Sequence, residues 1–331
     1  MKETIGMLRD MLRWPLLIAA MLALAPSAAF AQADYPNHAI KIIVPVPPGN
    51  MLDAMPRIVG DKLSPRWNQP VIVENRPGAA SNLGSEAVFK SPPDGYTLLV
   101  TPPGPLSVSQ HVYTRLAFDP TQFVPVSVLV RFPFLLIANP KVPDSNLQEL
   151  IARAKANPDK VTFATPGVSS TPHLTMEKLS RAAGIRFVHV PYQGMTPALN
   201  DLLGGHVDVM FDTPGNVMGH VRDGKVKLLA VTGTRRIAEY PAIPSLADIN
   251  PDVVHEDWFA VVAPPKTPSQ IADKLSQAIA ETLKLPDVAK RISDAGFTAV
   301  GATPAETAAL IKSESEKFRQ VIAAAGIKIE Q

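Results

Sequence analysis

The stretch Val161–Asp212, VTFATPGVSSTPHLTMEKLSRAAGIRFVHVPYQGMTPALNDLLGGHVDVMFD, reads as strand, helix, strand, helix, strand in unbroken succession. Between its apolar run Val161–Ala164 and the helical spacing that begins at His173 lies a loop of small residues, Thr165-Pro166-Gly167-Val168-Ser169-Ser170-Thr171. Such a loop brings backbone N–H groups to a helix start. The first four N–H groups of a helix lack intrahelical acceptors and sit at the positive end of its dipole, so the loop suits an anion.

The same alternation runs through the rest of the chain. Runs rich in β-branched residues at Ile40–Val44, Val71–Val73, Leu98–Val100, Leu135–Ala138, Phe187–Val190, Val207–Phe211, Leu228–Val231 and Phe259–Val262 read as strands. Helical spacing fills Asp53–Leu63, Leu147–Ala156, His173–Ala183, Pro197–Leu203, Pro268–Leu283 and Pro304–Ala325. Strand and helix in alternation predict an α/β protein with mainly parallel sheets covered on both faces. Thr267-Pro268-Ser269-Gln270 and Thr303-Pro304-Ala305-Glu306 each read as a Thr cap with Pro in the first turn and a capping box. The proline-punctuated stretches Phe132-Pro133-Phe134 and Trp258–Pro265 are the expected crossings between two domains, which makes the first domain discontinuous: 32–133 plus 258–331 around 134–257.

Lys2, Arg9 and Arg13 precede the apolar run Trp14–Ala25 and then Ala29-Phe30-Ala31, the pattern of a secretory signal peptide cleaved after Ala31. Without residues 1–31, the 32 basic and 30 acidic residues fall to 29 and 28, a near-neutral balance with no basic stripe for nucleic acid. The chain has no cysteine, which excludes disulfides, thiolate metal sites and cysteine nucleophiles. A hydrophobic share of 46% with 34 prolines fits a globular fold of sharply ended elements. The mature length exceeds what one hydrophobic core readily serves, hence two domains.

Catalytic signatures are missing. Gly167-Val168-Ser169-Ser170-Thr171 lacks the second glycine of G-x-S-x-G, H-E-x-x-H does not occur, and the seven histidines are scattered without metal-ligand spacing. Gly78-Ala79-Ala80-Ser81-Asn82-Leu83-Gly84 lacks the middle glycine of a dinucleotide fingerprint. No metal or cofactor is expected, and a hydrolase using Ser169 or Ser170 with His173 is the remaining enzymatic alternative.

Tyr35-Pro36 leading into IKIIVPVPPG, QPVIVENRPGAASNLGSEAV, SPPDGYTLLV, Phe118–Pro120, TPHL, HVPYQGMTPALNDLLGGHVDVMFD, GKVKLLAVTGTRR and WFAVVAPPKTP together resemble, in order and spacing, the Bug family of TctC-like solute receptors. The resemblance implies a type II periplasmic binding-protein fold, with two doubly wound lobes joined by two crossing strands. It further implies a periplasmic monomer that traps a small carboxylate and delivers it to the membrane permease of a tripartite tricarboxylate transporter; presentation of the ligand to a signalling partner is the alternative.

Three loops at strand carboxyl ends are the candidate site. In the first, Pro48, Gly49, Asn50, Met51 and Asp53 stand where the resembling family carries two adjacent glycines after small residues. Its prolines remove N–H donors and Met51 adds an adaptable apolar wall; Asp53 either reaches ligand-contacting backbone or caps the helix. In the second, Thr101 and Ser107 offer hydroxyls, with a helix cap as the other reading of Ser107. The third, Gly167, Val168, Ser169, Ser170 and Thr171, is the strongest anion site, and His173 is either a ligand partner or a structural first-turn histidine. Asp212, which the family places in the cleft, would repel a carboxylate unless it holds water or a ligand donor. Arg76, His189 and Trp258 read as scaffold.

Overall fold

The structure is a computed structural model that describes residues 35–328, so the expected signal peptide lies outside the described residues. The chain divides into the compact units Met1–Asn37 and His38–Gln331, and all the architecture below belongs to the second. Its strands are β1 (Ile40–Val44), β2 (Val71–Asn75), β3 (Thr97–Thr101), β4 (Val124–Pro133), β5 (Leu135–Ala138), β6 (Thr162–Thr165), β7 (Val188–Pro191), β8 (Val209–Asp212), β9 (Lys227–Val231), β10 (Glu256–Ala263) and β11 (Thr298–Ala299). Its helices are α1 (Met51–Trp67), α2 (Asn82–Phe89), α3 (Ser109–Val112), α4 (Leu147–Ala156), α5 (Thr171–Ala183), α6 (Met195–Gly204), α7 (Pro214–Arg222), α8 (Ser269–Leu283), α9 (Pro286–Asp294) and α10 (Pro304–Ala325).

Two sheets form two lobes. One is six-stranded in the order β11-β4-β10-β3-β1-β2 and the other five-stranded in the order β7-β6-β8-β5-β9. Parallel pairing is confined to strands linked through helices: β1 lies parallel to β2 and β3, with Ile42 opposite Val73 and Leu98, and β6 lies parallel to β7 and β8. The expectation of mainly parallel sheets is corrected at β5, β10 and β11. β5 runs antiparallel to β8 and β9, β10 antiparallel to β3 and β4, and β11 antiparallel to β4. β5 and β10 each enter their sheet from the other lobe, so no βαβ return fixes their direction.

Several elements lie outside the sequence reading. β4 is the longest strand, yet Pro125 and Arg131 interrupt its apolar pattern. α7 contains Gly215 and Gly219, poor helix formers, and begins with Pro214 in its first turn. At α10 the expected capping box is present, Thr303 and Glu306 exchanging bonds. At α8 it is not: Thr267 Oγ1 donates to the Pro264 carbonyl at 2.8 Å, and Pro268, without a side-chain cap, precedes the helix. The proline in the cap position carries no side-chain acceptor.

The first crossing passes from β4 through Phe134 into β5. The second is not Trp258–Pro265, because Trp258 is already in β10, opposite Arg131. It lies at His255, where one threonine ties both crossings together. Thr232 N–H donates to Phe134 O at 2.9 Å and His255 N–H donates to Thr232 O at 3.0 Å. The Thr232 hydroxyl accepts from Phe134 N–H at 2.8 Å and donates to His255 O at 2.6 Å. Thr232 is fully buried, so its partners would find no water in its absence.

Replacing Thr232 with Val keeps the shape and deletes the hydroxyl, stranding a buried donor and a buried acceptor at roughly 1–3 kcal/mol each. Urea unfolding is expected to show Thr232→Val less stable than the wild type by about 2–5 kcal/mol, with Thr232→Ser close to wild type. Equal stability of the Val and Ser variants would contradict this role.

Candidate ligand-binding cleft

Loops following the carboxyl ends of six strands close around one cavity of about 90 Å³. Pro45, Val46, Pro47, Asn50, Met51 and Leu52 follow β1; Gly78, Ala80 and Ser81 follow β2; and Pro102 and Gly104 follow β3. From the second sheet come Pro166, Ser170, Thr171 and Pro172 after β6, Gln193, Gly194 and Met195 after β7, and Thr213 and Asn216 after β8. The crossing strands add Phe132, Phe134, Asp257 and Phe259. Phe132 holds Phe134 edge-on at 5.5 Å and Phe259 tilted at 4.7 Å, which makes a firm aromatic wall.

Among the described residues, no Lys, Arg or His lines this cavity. Its positive potential comes from backbone instead. α1 begins at Met51 behind its Asn50 cap, α5 at Thr171 behind Ser170, and α7 at Pro214 behind Thr213, so three helix N-termini reach the cavity wall. A fourth group of donors comes from the turn before α2. There Ala79, Ala80 and Ser81 have φ of 47°, 50° and 76°, a left-handed path that costs side-chain-bearing residues about 1–2 kcal/mol each. Within this turn Leu83 N–H donates to Gly78 O at 3.4 Å and Asn82 N–H to Ala79 O, and Ala80 and Ser81 both line the cavity. Strain of this kind collects where a ligand or switch is served.

Of the residues singled out from sequence, Asn50, Met51, Ser170 and Thr171 line the cavity. Pro48, Gly49, Asp53, Thr101, Ser107, Gly167, Val168, Ser169, His173 and Asp212 do not. Asp53 is scaffold: its carboxylate accepts from Gly49 N–H at 3.1 Å, Arg57 at 2.8 Å and Asn75 at 2.9 Å. These bonds, with Arg57, hold its pKa below the usual range although burial works the other way. Thr101 is fully buried with its hydroxyl on Pro102 O, and Ser107, also buried, donates to Pro103 O within a π-turn rather than capping α3. Gly167 and Ser169, at φ 142° and 71°, shape the loop that presents Ser170 and Thr171. Ser170 Oγ donates to Gly167 O at 2.7 Å and accepts from His173 N–H at 3.4 Å, the N-cap of α5.

His173 belongs to the core of the second lobe. Its ring stacks on His189 at 4.2 Å and on Phe163 at 6.2 Å, and burial pushes its pKa down to about 3. His189 hydrogen-bonds the Thr165 hydroxyl at 2.6 Å and is pushed down to about 4, again by burial. Both imidazoles are neutral at pH 7. Ser170 points its hydroxyl at a carbonyl and Ser169 reaches the Tyr113 hydroxyl at 3.4 Å, so neither serine is paired with a general base. Arg76 pairs with Glu74 at the surface, and Trp258 is buried in the first lobe's core.

Asp212 lies directly behind the cavity wall and is completely buried. Its Oδ1 accepts from Thr213 N–H at 2.6 Å and Asn216 Nδ2 at 2.9 Å, while among the described residues neither Oδ2 nor the Thr213 hydroxyl makes a hydrogen bond of good geometry. Loss of solvent outweighs those bonds and raises its pKa to about 7. Asp257, 1% exposed, stands in the wall itself and accepts from Thr171 Oγ1 at 2.6 Å and Trp258 N–H at 3.0 Å. Its bond to Thr171 links β10 of the first sheet to α5 of the second lobe.

The left-handed turn, Asp257, Thr213, Asn216 and the three phenylalanines are cavity residues that the sequence reading passed over. Gly78–Gly84 carries no dinucleotide fingerprint, and alanine gives no signal of positive φ. Asp257 had one available sign, its place beside Glu256 directly before the apolar run Trp258–Val262.

The family model described as "Tripartite tricarboxylate transporter family receptor" matches residues 55–327. Protein BugT of Bordetella pertussis is 36% identical over 325 residues, covering 97% of this chain and all of BugT. The solved periplasmic binding protein BugD superposes with a TM-score of 0.84 at 30% identity, over 90% of this chain and 100% of BugD. An R. palustris protein solved with adipate superposes at 0.85 and 28% identity, over 90% of this chain and 100% of that one. MatC from Rhodopseudomonas palustris, with bound malate, superposes at 0.82 and 28% identity, over 87% of this chain and 100% of MatC. These relatives are solute-binding proteins rather than enzymes, and the chain belongs to the tripartite tricarboxylate transporter receptor family, the TctC or Bug receptors.

Proposed function

We propose that the chain is a periplasmic receptor, exported by the leader in residues 1–31, that closes two lobes over a small carboxylate and delivers it to the permease of a tripartite tricarboxylate transporter. With the second crossing at His255, the first lobe spans 32–133 plus 256–331 and the second the chain between, and one ligand occupies the cavity between them. The observation that carries this reading is the convergence, on a cavity without cationic side chains, of helix N-termini from both lobes and a strained left-handed turn. Each N-terminus contributes about 0.3–1 kcal/mol toward an anion when exposed and up to roughly 2 kcal/mol when partly buried. Several together suffice for a carboxylate. Adipate and malate in the related structures support this ligand class.

Asp212 does not oppose it. With a pKa of about 7, its carboxyl is protonated over the acidic range and at least partly neutral near pH 7, so the charge behind the wall is small. Because α1 and the turn at 79–81 belong to one lobe and α5 and α7 to the other, a carboxylate held by both sets stabilises the closed form by its differential affinity for it.

Titration with small carboxylates, read by tryptophan fluorescence from Trp258 beside Asp257 and by thermal shift, is expected to saturate and to return the ligand chemically unchanged. Ligand at 100 times Kd adds about 2.7 kcal/mol to stability, and small-angle scattering is expected to show compaction. Turnover of the ligand, or saturable binding with no carboxylate at all, would refute the reading.

A second expectation concerns pH. The Asp212 pKa is raised from 3.8 to about 7, so the contribution of its protonated form is fully present below pH 4 and is lost as pH rises through 7. Over that span the wild type forfeits about 4 kcal/mol, at about 1.4 kcal/mol per pH unit, whereas Asp212→Asn does not titrate. Urea midpoints are therefore expected to shift in favour of Asp212→Asn between pH 4 and pH 8; a pH-independent difference would contradict the assignment.

A further inference from the structure

The cavity is separated from a second, outer groove by a wall one side chain thick. The groove encloses about 430 Å³ and is lined in part by Gly49, Asp53, Arg57, Thr196 and His220. Asn50, Met51 and Asn216 line both spaces. The two asparagines are fixed in place: Asn50 accepts from Asp53 N–H and donates to Pro47 O, and Asn216 donates to Asp212 Oδ1. Met51 has no polar atom to anchor it and three rotatable side-chain bonds. Its position is set by packing across the two lobes. A Cβ placed on Gly215 would fall 2.7 Å from Met51 Cγ and 2.9 Å from its Sδ, so the methionine of α1 rests directly on the glycine of α7.

We propose that Met51, seated on Gly215, is the specificity-determining residue that sets the length of ligand the closed receptor accepts. Short carboxylates fit behind the methionine, and longer ones require it to leave its seat. Beyond that wall a longer ligand meets the outer groove, where the Arg57 side chain is 45% exposed, with its Nε and Nη2 donating to Asp53 Oδ1 and its Nη2 also to Asn75 Oδ1. The anionic far end of a long diacid has a cationic partner there, and its methylenes take the volume the methionine vacates. Gly215 is required because any Cβ displaces the methionine from the wall. Its backbone is helical with φ outside the left-handed region, so alanine at this position is conformationally acceptable; its Cβ meets Met51 first and the Ala295 carbonyl, at 3.2 Å, second, and rescue by Met51→Ala isolates the methionine contact.

This inference rests on the carboxylate-receptor reading, and the experiment separates the two. Succinate, adipate, suberate and sebacate are titrated by calorimetry into the wild type, Met51→Ala, Gly215→Ala and the double variant, each first checked for a wild-type-like unfolding transition. In Met51→Ala the suberate and sebacate affinities are expected to rise relative to succinate by about tenfold or more, as burial of a few methylenes gives. Gly215→Ala alone is expected to weaken the shortest acid that binds by about tenfold, and adding Met51→Ala is expected to restore it. A wild type that binds some of these acids while Met51→Ala keeps the same order of affinities overturns the inference and leaves the receptor reading standing. A Gly215→Ala defect that Met51→Ala does not rescue also overturns it. A wild type that binds none of the four overturns the inference, and the receptor reading then stands or falls on the wider carboxylate titration.

Discussion

The fold depends on one buried threonine. Thr232 joins the chain passing outward through Phe134 to the chain returning through His255, using its N–H, its carbonyl and its hydroxyl on both. Two separate strands would twist independently; bonded side by side they bend as a single ribbon. Phe132, Phe134 and Phe259 flank this ribbon and also form the cavity wall, so hinge and ligand wall are one piece of structure.

The cavity chemistry follows from excluding charge. A lysine or arginine in so small an apolar space would need desolvation that a single ligand carboxylate only partly offsets. Helix starts and a left-handed turn supply positive potential without a mobile charge, and the fold bears their cost in advance as strain at Ala79, Ala80 and Ser81. The ionisable groups nearby are kept quiet by the same burial. His173 and His189 are held neutral, and Asp212 is held protonated through the acidic range. Asp257 is the exception in the wall itself, and there the carboxylate is occupied by the Thr171 hydroxyl and the Trp258 N–H. The Thr171–Asp257 bond also links the two lobes.

Much of this was legible in the residues and some could not be. The runs Ile40–Val44 and Leu135–Ala138 became strands with the same ends, and Leu147–Ala156 and Pro304–Ala325 became helices with the same ends, because their periodicity and caps agree. The loop at Ser170–Thr171 was visible because serine, threonine and proline at a helix start have a known chemistry. β4 was not, since Pro125 and Arg131 break its pattern and only its partners β10 and β11 make it a strand. Antiparallel pairing at β5 and β10 depends on where the chain crosses, which no local window contains. His173 looked available at a helix start, and only the stacked rings of His189 and Phe163 reveal that it faces the core. The turn at Ala79–Ser81 was hidden for the opposite reason: its function lies in backbone angles that alanine does not advertise.

The central claim is that backbone donors from both lobes, rather than a cationic side chain, hold the ligand's carboxylate. A crystal structure of the receptor with its bound carboxylate tests this most directly. The account predicts carboxylate oxygens within hydrogen-bonding distance, directly or through one ordered water, of the Thr171 N–H on one side and of the Ala80 or Ser81 N–H on the other. A carboxylate paired with a lysine or arginine, or held by one lobe alone, would contradict it.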